Sequence, residues 1–180
     1  MGQTRWYEQL SEYFPPKELK SEEQIDALLA TEPAYHKIVT DNYLLIYADF
    51  PRFIFLDYLL VFENPRGRGM GGQILSSLKR YKKPLIGELE PRDLDDPDTI
   101  RRIRFYERHG FEEAQHIEYR RRRKDGTAFR MLVYYWTPDG TPEDEIYDDM
   151  TIVCDRIHNF RSTKYYGRQV ADADQVLRWH

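Results

Sequence analysis

The sequence predicts an α/β fold in which helices flank a mixed, mainly antiparallel sheet. Between positions 36 and 62, aromatic and branched residues dominate three segments separated by turn signals, which indicates strands joined in a meander. Two helical patterns then alternate with a short strand between positions 71 and 110. Further along, two strand-like segments flank Asp125-Gly126, which is typical of a tight hairpin turn.

Two short helices are predicted ahead of these strands. Apolar side chains recur at helical spacing from Trp6 to Phe14, and two prolines end the pattern. Ser21 and Gln24 have the spacing of a capping box, which predicts the start of the second helix. We therefore expect a helical N-terminal segment over about residues 1–34.

The strands of the meander differ in how they are covered. Ile38-Val39 and Tyr43–Ala48 are short, whereas Phe53–Phe62 is apolar on both alternating faces apart from Asp57. A strand that is apolar on both faces is covered on both sides. We therefore expect Phe53–Phe62 to be a central strand.

The helix-and-strand units that follow have chemically marked boundaries. A helix from about Gly71 to Lys82 presents one apolar stripe, and Pro84–Glu90 follows it as a strand. Asp96 is a suitable cap for the next helix, Pro97 suits the first helical position, and Gly110 suits the position after the last turn.

The last third of the sequence predicts a hairpin and a C-terminal extension. Phe111–Arg121 and Ala128–Trp136 are expected to pair as a terminal hairpin. Five cations, Arg120–Lys124, precede its turn and indicate a solvated tip, or else a docking patch for an anionic ligand or partner. Thr141-Pro142 opens a third long helix, and the tail from position 162 is weakly patterned, so the extension covers about residues 139–180.

Length and composition exclude several classes of protein. A chain of 180 residues predicts a single domain over 1–180, and its 41% hydrophobic content supplies a core. The net charge of -4 does not indicate a nucleic-acid binder. The near-apolar run Phe53–Phe62 is far shorter than the roughly 18 residues of a spanning helix, and no leader pattern opens the chain. We therefore expect a cytoplasmic protein without membrane contact.

The cysteine and histidine content argues against a disulfide framework and a metal site. The chain has one cysteine, Cys154, and five histidines without ligand spacing. We expect Cys154 to be a small buried side chain in the third long helix.

The most informative segment joins the central strand to the next helix and contains four glycines and two arginines within seven residues. Glycine lets a ligand approach the main chain, and the first turn of a helix offers unpaired N–H groups with a positive dipole end. The segment therefore predicts an anion site suited to a diphosphate, or alternatively close packing of helix on strand. Its residues are Arg66, Gly67, Arg68, Gly69, Met70, Gly71 and Gly72.

The identity of the diphosphate has two interpretations. Gly67–Gly72 satisfies the G-x-G-x-x-G pattern, and Glu88 or Glu90 follows where a ribose-binding acid would lie, which is compatible with an NAD(P)-dependent oxidoreductase. A dinucleotide fold, however, needs further strand-helix-strand units, and the sequence shows none after this one.

The same residues resemble the GNAT superfamily of acyl-CoA-dependent N-acetyltransferases. Arg66–Gly71 matches its phosphate signature, Leu56–Val61 resembles its fourth strand, and Phe105–Phe111 resembles the end of its helix. The resemblance implies splayed fourth and fifth strands, here Phe53–Phe62 and Pro84–Glu90, with acetyl-CoA between them. It assigns the pantetheine amides to the main chain of Leu60, Val61 and Phe62, and the diphosphate to Arg68–Gly72. Thr99 stands where the family often has a cofactor-binding asparagine.

Transfer to an amine requires a neutral nitrogen, and an amine with a pKa of about 10.4 costs roughly 4.6 kcal/mol to deprotonate at pH 7. A carboxylate near the strands lowers that cost by accepting the proton. Asp57, Glu88 and Glu90 are the candidate bases, with a salt bridge for Asp57 and a solvated strand end for the glutamates as the alternatives. The resemblance makes Tyr106 the candidate acid for the leaving thiolate, with packing beside Ile103 as its alternative.

These observations predict an N-acetyltransferase that moves an acetyl group from acetyl-CoA to a primary amine by direct attack on the thioester. The three acids favour a small cationic amine, and a protein lysine or N-terminus stays open. The alternatives are the oxidoreductase and a non-catalytic module that binds CoA or a partner. We expect the C-terminal extension to cap the acceptor site or to make a homodimer contact.

Overall fold

The computed structural model describes residues 4–62 and 69–180 of the chain. The first half contains helices α1 (Arg5–Tyr13) and α2 (Glu22–Thr31), strands β1 (Tyr35–Val39), β2 (Tyr43–Asp49) and β3 (Ile54–Val61), helix α3 (Met70–Lys79) and strand β4 (Leu85–Leu89). The second half contains helix α4 (Pro97–Arg108), strands β5 (Glu112–Glu113), β6 (Ile117–Arg122) and β7 (Ala128–Trp136), helix α5 (Glu143–Val153), a π-helical turn (Cys154–His158), helices α6 (Ser162–Tyr166) and α7 (Ala173–Val176), and strand β8 (Leu177–Trp179).

The strands form one open, mostly antiparallel sheet of eight strands in the order β1-β2-β3-β4-β7-β6-β8, with β5 paired to β7. Among the described strands, β3 and β4 are the parallel pair, and their connection is the crossover through α3. The predicted α/β fold with a mainly antiparallel sheet is therefore confirmed, as is the meander of β1, β2 and β3.

Strands β3 and β4 separate after a short stretch of pairing. Their register joins Ile54 to Leu85, Phe55 to Ile86 and Leu56 to Gly87, and the ladder ends there although β3 continues to Val61. We call the space between the two strands beyond Leu56 and Gly87 the strand gap. The splaying that the family resemblance implies is thus present at the centre of the sheet.

A β-bulge lies on β3 at the start of the strand gap. Tyr47 of β2 pairs with Leu56, and the next residue in the ladder, Ile46, pairs with Tyr58. Asp57 is therefore the extra residue on β3, and a bulge of this kind redirects side chains and increases local twist.

Helices cover both faces of the sheet. One buried cluster joins side chains of α1, α2 and α5 to the sheet, and the other joins α3 and α4 to its opposite face. Phe55 belongs to the first cluster and Ile54 to the second, so β3 is covered on both sides as the sequence predicts.

The end of the chain differs from the prediction. The tail forms α6, α7 and β8, and β8 pairs antiparallel with β6 through Ile117–Trp179 and Tyr119–Leu177. The predicted hairpin is present, but its first strand, expected over Phe111–Arg121, is divided into β5 and β6, which both pair with β7. The hairpin is also not terminal, because β8 covers the outer edge of β6. A strand of three residues is too short to give a detectable alternating pattern.

The predicted capping box of α2 is half correct. The hydroxyl of Ser21 accepts a hydrogen bond from the backbone N–H of Gln24 at 3.2 Å, as predicted. The Gln24 side chain does not return to Ser21, because its amide donates to the backbone oxygens of His158 and Phe160 at 3.2 and 2.8 Å. The hydroxyl of Tyr166 accepts the Ser21 N–H instead, at 2.7 Å. The C-terminal extension therefore completes the start of α2.

Within residues 4–62 and 69–180, none of the helices combines the length and the apolar character needed to cross a membrane.

Candidate active site

A cavity of about 660 Å³ opens at the strand gap. Its walls come from β3 and β4, from the first turn of α3, from α4, and from the segment between α1 and α2. The first turn of a helix presents N–H groups without intrahelical acceptors, so the α3 end of the cavity has donors and a positive dipole end. The opposite end contains the side chains Glu18, Asp57, Glu88 and Arg121.

The described part of the glycine segment begins α3. Gly69 is the residue before the helix and has φ of 72°, a left-handed conformation that favours glycine. A Cβ at Gly71 would lie 2.7 Å from Cζ of Phe105, and a Cβ at Gly72 would lie 2.6 Å from Nε2 of His109. The close packing is therefore between α3 and α4, not between helix and strand as the alternative interpretation proposed.

Other residues assigned to the donor have different positions. Arg66, Gly67 and Arg68 lie outside the described residues, whereas Gly69, Met70, Gly71 and Gly72 line the cavity. The proposed pantetheine contacts lie at the end of β3: Leu60 and Val61 are its last two residues, and Phe62 comes directly after it. Of these three residues, Val61 lines the cavity.

The hydroxyl of Thr99, in the first turn of α4, is engaged in hydrogen bonds with the backbone. Its hydroxyl accepts the backbone N–H of Asp93 at 2.9 Å and lies 2.8 Å from the backbone oxygen of Asp96, which caps the helix. These bonds hold the loop before α4 against the helix. Thr99 does not belong to the described lining of the cavity.

Asp57 lies in a buried ion pair. Its Oδ1 is 3.0 Å from Nζ of Lys20, and the two side chains are only 4% and 3% exposed. The hydroxyl of Tyr35 donates to the other carboxylate oxygen. Burial lowers the pKa of Lys20, and the neighbouring Asp57 opposes that effect. The salt bridge that the sequence left open for Asp57 is therefore present.

Glu88 has three hydrogen-bond partners. Its carboxylate accepts from the Tyr119 hydroxyl at 2.9 Å and from the Arg121 guanidinium at 3.2 Å, and its Oε1 lies 2.7 Å from Nε2 of His158. Burial by itself raises the pKa of Glu88, but the contacts with His158 and Arg121 outweigh it and lower the pKa to about 2. Glu88 is thus buried and ionised, so the alternative of a solvated strand end is wrong, and a carboxylate with this pKa is a weak base.

Glu90 lies just beyond β4 and is also paired with cations. Its two oxygens are 3.2 Å from Nζ of Lys17 and 3.6 Å from Nη1 of Arg102. The Glu90 side chain is 14% exposed, so a solvated strand end is wrong for this residue as well.

Arg121 corrects the interpretation of the cationic run Arg120–Lys124. The run does precede the hairpin turn, but Arg121 is only 7% exposed and points to the same face as Ile117 and Tyr119. Alternation along β6 is the sequence signal that would have separated Arg121 from its neighbours. Lys20 and Glu18, in the segment between α1 and α2, and His158, in the π-helical turn, have no such signal.

Tyr106 lies on the buried face of α4 and lines the cavity. Its ring packs edge-on against Phe111, with centroids 5.2 Å apart. Burial raises the pKa of the Tyr106 hydroxyl above its ordinary value. The hydroxyl therefore keeps its proton at neutral pH and is able to donate it.

His109 and Cys154 each follow the last residue of a long helix. His109 caps the C-terminal end of α4, and its Nδ1 lies 2.7 Å from the backbone oxygen of Phe105. Cys154 is fully buried, and burial raises its pKa to about 12, so it is a protonated thiol as expected of a small buried side chain. Among the described residues, no group of histidine, cysteine and acidic side chains has the arrangement of a metal site.

Comparison with known proteins identifies a relative that matches most of the chain. No family model matches the sequence. The chain is 42% identical over 174 residues to the Bacillus subtilis (strain 168) protein named "Putative acetyltransferase YjbC", a match that covers 96% of this chain and 91% of that protein.

The chain is also similar to solved structures. A protein from Bacteroides thetaiotaomicron described as "Putative acetyltransferase from GNAT family" is similar with a TM-score of 0.67 and 24% identity, over 91% of this chain and 92% of that chain. This likeness shows a shared fold. A Bacillus subtilis acetyltransferase solved in complex with CoA has a TM-score of 0.45 and 13% identity, over 65% of this chain and 84% of that chain.

Proposed function

The chain belongs to the GNAT family of acetyltransferases, and from that premise we propose that it transfers the acetyl group of acetyl-CoA to a primary amine. The amine attacks the thioester directly, without an acyl-enzyme intermediate. The observation that carries the proposal is the strand gap, which opens into a cavity with a helix start at one end and ionisable side chains at the other.

Acetyl-CoA is the acyl donor, and the first turn of α3 supports its placement. Gly69, Met70, Gly71 and Gly72 border the cavity, and the glycines allow a diphosphate to approach the main chain. We propose that the pantetheine arm runs along Leu60, Val61 and Phe62 into the strand gap. The thioester then lies between β3 and β4, near the hydroxyl of Tyr106.

We propose a small cationic amine as the acceptor. The acidic side chains Glu18, Asp57 and Glu88 are all in the wall of the cavity. Lys20 and Arg121 balance the charges of Asp57 and Glu88, so Glu18 is the acid that supports binding of an ammonium group. The aromatic rings of Tyr13 and Phe14 border the same space and are held by Arg102, whose guanidinium lies 5.1 and 5.5 Å from their centroids. The pantetheine arm must share the cavity, which leaves limited room for the acceptor.

We also propose that residues 1–180 act as one acyltransferase domain in the cytoplasm. The C-terminal extension supports this, because His158 contacts Glu88 of β4 and Tyr166 contacts Ser21 at the start of α2. We propose in addition that two copies of the chain form a homodimer through the C-terminal extension. Analytical ultracentrifugation, which measures the mass of the protein in solution, tests this.

The melting temperature of the protein with different ligands tests whether acetyl-CoA is the ligand that binds. A ligand that binds only the native state raises the melting temperature, so acetyl-CoA and free CoA should stabilise the protein while NAD(P) should not. Preferential stabilisation by NAD(P) would contradict the proposal and favour an oxidoreductase.

Release of free thiol from acetyl-CoA tests the reaction. The panel should contain small diamines and polyamines, free amino acids, and peptides with an N-terminal or lysine amine. We expect release with at least one small cationic amine and formation of its N-acetyl product by mass spectrometry. Stabilisation by acetyl-CoA without transfer to any amine would instead identify a non-catalytic CoA-binding module.

A further inference from the structure

The segment between α1 and α2 is attached to both strands that border the strand gap. On the β3 side, the Tyr58 hydroxyl donates to the backbone oxygen of Glu18 and accepts the backbone N–H of Lys20, each at 2.9 Å. On the β4 side, Nζ of Lys17 is 3.2 Å from the carboxylate of Glu90. Residues 17–20 are therefore held at the end of the cavity that contains Asp57, Glu88 and Arg121.

Glu18 is a buried acid in the wall of this cavity. The residue is 7% exposed and lines the cavity, and its Oε2 is buried without a hydrogen-bond partner among the described residues. Burial raises the pKa of Glu18 to about 8, and the nearby Glu90 charge adds to this effect while Arg102 and Arg121 oppose it. A buried polar oxygen without a partner is costly to keep, which suggests a group that meets it during function.

The other acids near the strand gap are already engaged. Asp57 is paired with Lys20, Glu88 with Arg121 and His158, and Glu90 with Lys17 and Arg102. A general base needs a lone pair that no other group occupies and a pKa near the working pH. Among the described acids that line the cavity at this end, Glu18 has both, because its Oε2 has no hydrogen-bond partner.

We propose that Glu18 is the general base that takes the proton of the acceptor amine. This inference rests on the proposed function and deepens it, because it assigns the base to a residue outside the sheet. Asp57, Glu88 and Glu90, which the sequence offered as candidate bases, instead form ion pairs that connect the elements around the cavity.

In the proposed reaction, Glu18 and Tyr106 transfer the protons while the acetyl group moves from sulfur to nitrogen. The Glu18 carboxylate takes one proton from the ammonium group, and the neutral nitrogen forms the C–N bond with the thioester carbon. The C–S bond breaks, and the thiolate takes the proton of the Tyr106 hydroxyl. The acylated nitrogen loses its extra proton to the Tyr106 oxygen, and Glu18 later releases its own proton to solvent.

Glu90 is a positioning residue for this base. Its negative charge beside Glu18 favours the protonated carboxyl, so replacing Glu90 with glutamine should lower the pKa of Glu18. The rising limb of the kcat/KM profile would then move to lower pH in Glu90→Gln. A merely structural role of Glu90 would change the height of the profile and leave the position of the limb in place.

The test compares Glu18→Gln with wild type and with the control Glu12→Gln, which removes a carboxylate from the exposed face of α1. The kcat/KM of the best amine in the panel is measured from pH 6 to 10 at saturating acetyl-CoA. A second amine with a different pKa shows which group causes each limb of the pH profile. A limb caused by ionisation of the amine shifts when the amine is changed, whereas a limb caused by an enzyme group stays at the same pH.

We expect wild type and Glu12→Gln to share an enzyme limb with an apparent pKa near the value of about 8 for Glu18. Glu18→Gln should lose this limb and about 10²-fold or more of kcat/KM, which is typical of a lost general base. Its stabilisation by acetyl-CoA should be unchanged. The infrared band of a protonated carboxyl that titrates over the same range should also disappear in Glu18→Gln.

Two results would overturn the assignment of the base. One is wild-type activity with the same limb in Glu18→Gln, and the other is the absence of a titrating carboxyl band that Glu18→Gln removes. A wild-type protein that transfers acetyl to no amine would overturn the proposed function itself, and the inference with it, and this outcome is recognisable without any variant.

Discussion

Nε2 of His158 lies 2.7 Å from Oε1 of Glu88, and the two residues are 70 positions apart in the sequence. The side chain of His158 is fully buried and that of Glu88 is 6% exposed. Burial lowers the pKa of His158 to about 4, so the ring is neutral at pH 7 and donates its Nε2 proton to the ionised Glu88. The contact connects the C-terminal extension to the strand that borders the strand gap.

The stability of the protein should fall in mild acid because of His158. The unfolded ring has a pKa of about 6.5 and the folded ring about 4, so the unfolded state binds the proton first as the pH falls. The free energy of unfolding should therefore drop by about 2 kcal/mol between pH 7 and pH 5. Urea denaturation at the two pH values measures this change.

His158→Gln is the control for this prediction, because glutamine keeps an N–H donor for Glu88 and does not titrate. The drop between pH 7 and pH 5 should shrink in this variant, whatever its stability at pH 7. An equal drop in wild type and variant would show that His158 is not the titrating group. Below about pH 4.5, protonation of Glu88 in the unfolded state should lower the stability of both proteins further.

The ion pair of Lys20 and Asp57 should be costly to break from one side. Both side chains are buried, and Lys20→Met leaves the Asp57 carboxylate with the Tyr35 hydroxyl as its remaining hydrogen-bond partner among residues 4–62 and 69–180. Removing one partner of a buried pair typically costs about 3–5 kcal/mol of unfolding free energy. The double variant Lys20→Met, Asp57→Asn should lose less than Lys20→Met alone. Chemical denaturation of the three proteins tests this, and equal losses for the single and double variants would contradict it.

Two glycines should respond differently to a methyl group. A Cβ at Gly71 would lie 2.7 Å from Cζ of Phe105, so Gly71→Ala should lose about 1–3 kcal/mol of stability through overpacking. A Cβ at Gly87 would have nothing within 4 Å, so Gly87→Ala should stay within about 0.5 kcal/mol of wild type.

A second substitution tests whether contact with the Phe105 ring causes the loss of stability in Gly71→Ala. Phe105→Leu removes the atoms that the new methyl group meets, so the two changes should show favourable coupling in a double-mutant cycle. Additive losses would place the cost of Gly71→Ala elsewhere. Gly87→Ala has a separate use, because it narrows the strand gap and should weaken acetyl-CoA binding in a normally folded protein.

Tyr106→Phe should lower turnover without lowering donor affinity. Burial keeps the hydroxyl protonated, and loss of a proton donor to the leaving thiolate typically costs 10²-fold or more in kcat. The dissociation constant of acetyl-CoA should stay the same, since phenylalanine keeps the ring packing. Tyr134→Phe is the matched control, because its hydroxyl binds Glu107 at 3.3 Å and neither residue belongs to the described lining of the cavity. Unchanged turnover in Tyr106→Phe would remove Tyr106 from the mechanism.

Helix ends and the central strands could be predicted because their signals are local. Asp96 and Pro97 mark the start of α4 through bonds and torsions within one helical turn, and the structure has both residues in those positions. The apolar run of β3 similarly indicates burial on both faces, since alternation is a property of the strand itself. Short elements such as β8 escape this reasoning because three residues carry too little pattern.

The sequence alone determined the order of the longer helices and strands from α1 to α5, the position of the glycine segment and the resemblance to an acetyltransferase family, because each depends on residues that are neighbours in the chain. Only the tertiary structure decided which carboxylates are paired with basic side chains. Asp57 and Glu88 have partners 37 and 70 positions away, whereas Oε2 of the nearby Glu18 has no hydrogen-bond partner among the described residues. The reason is physical: the charge state of a buried acid depends on which distant cations the fold brings to it, and local spacing contains no record of them.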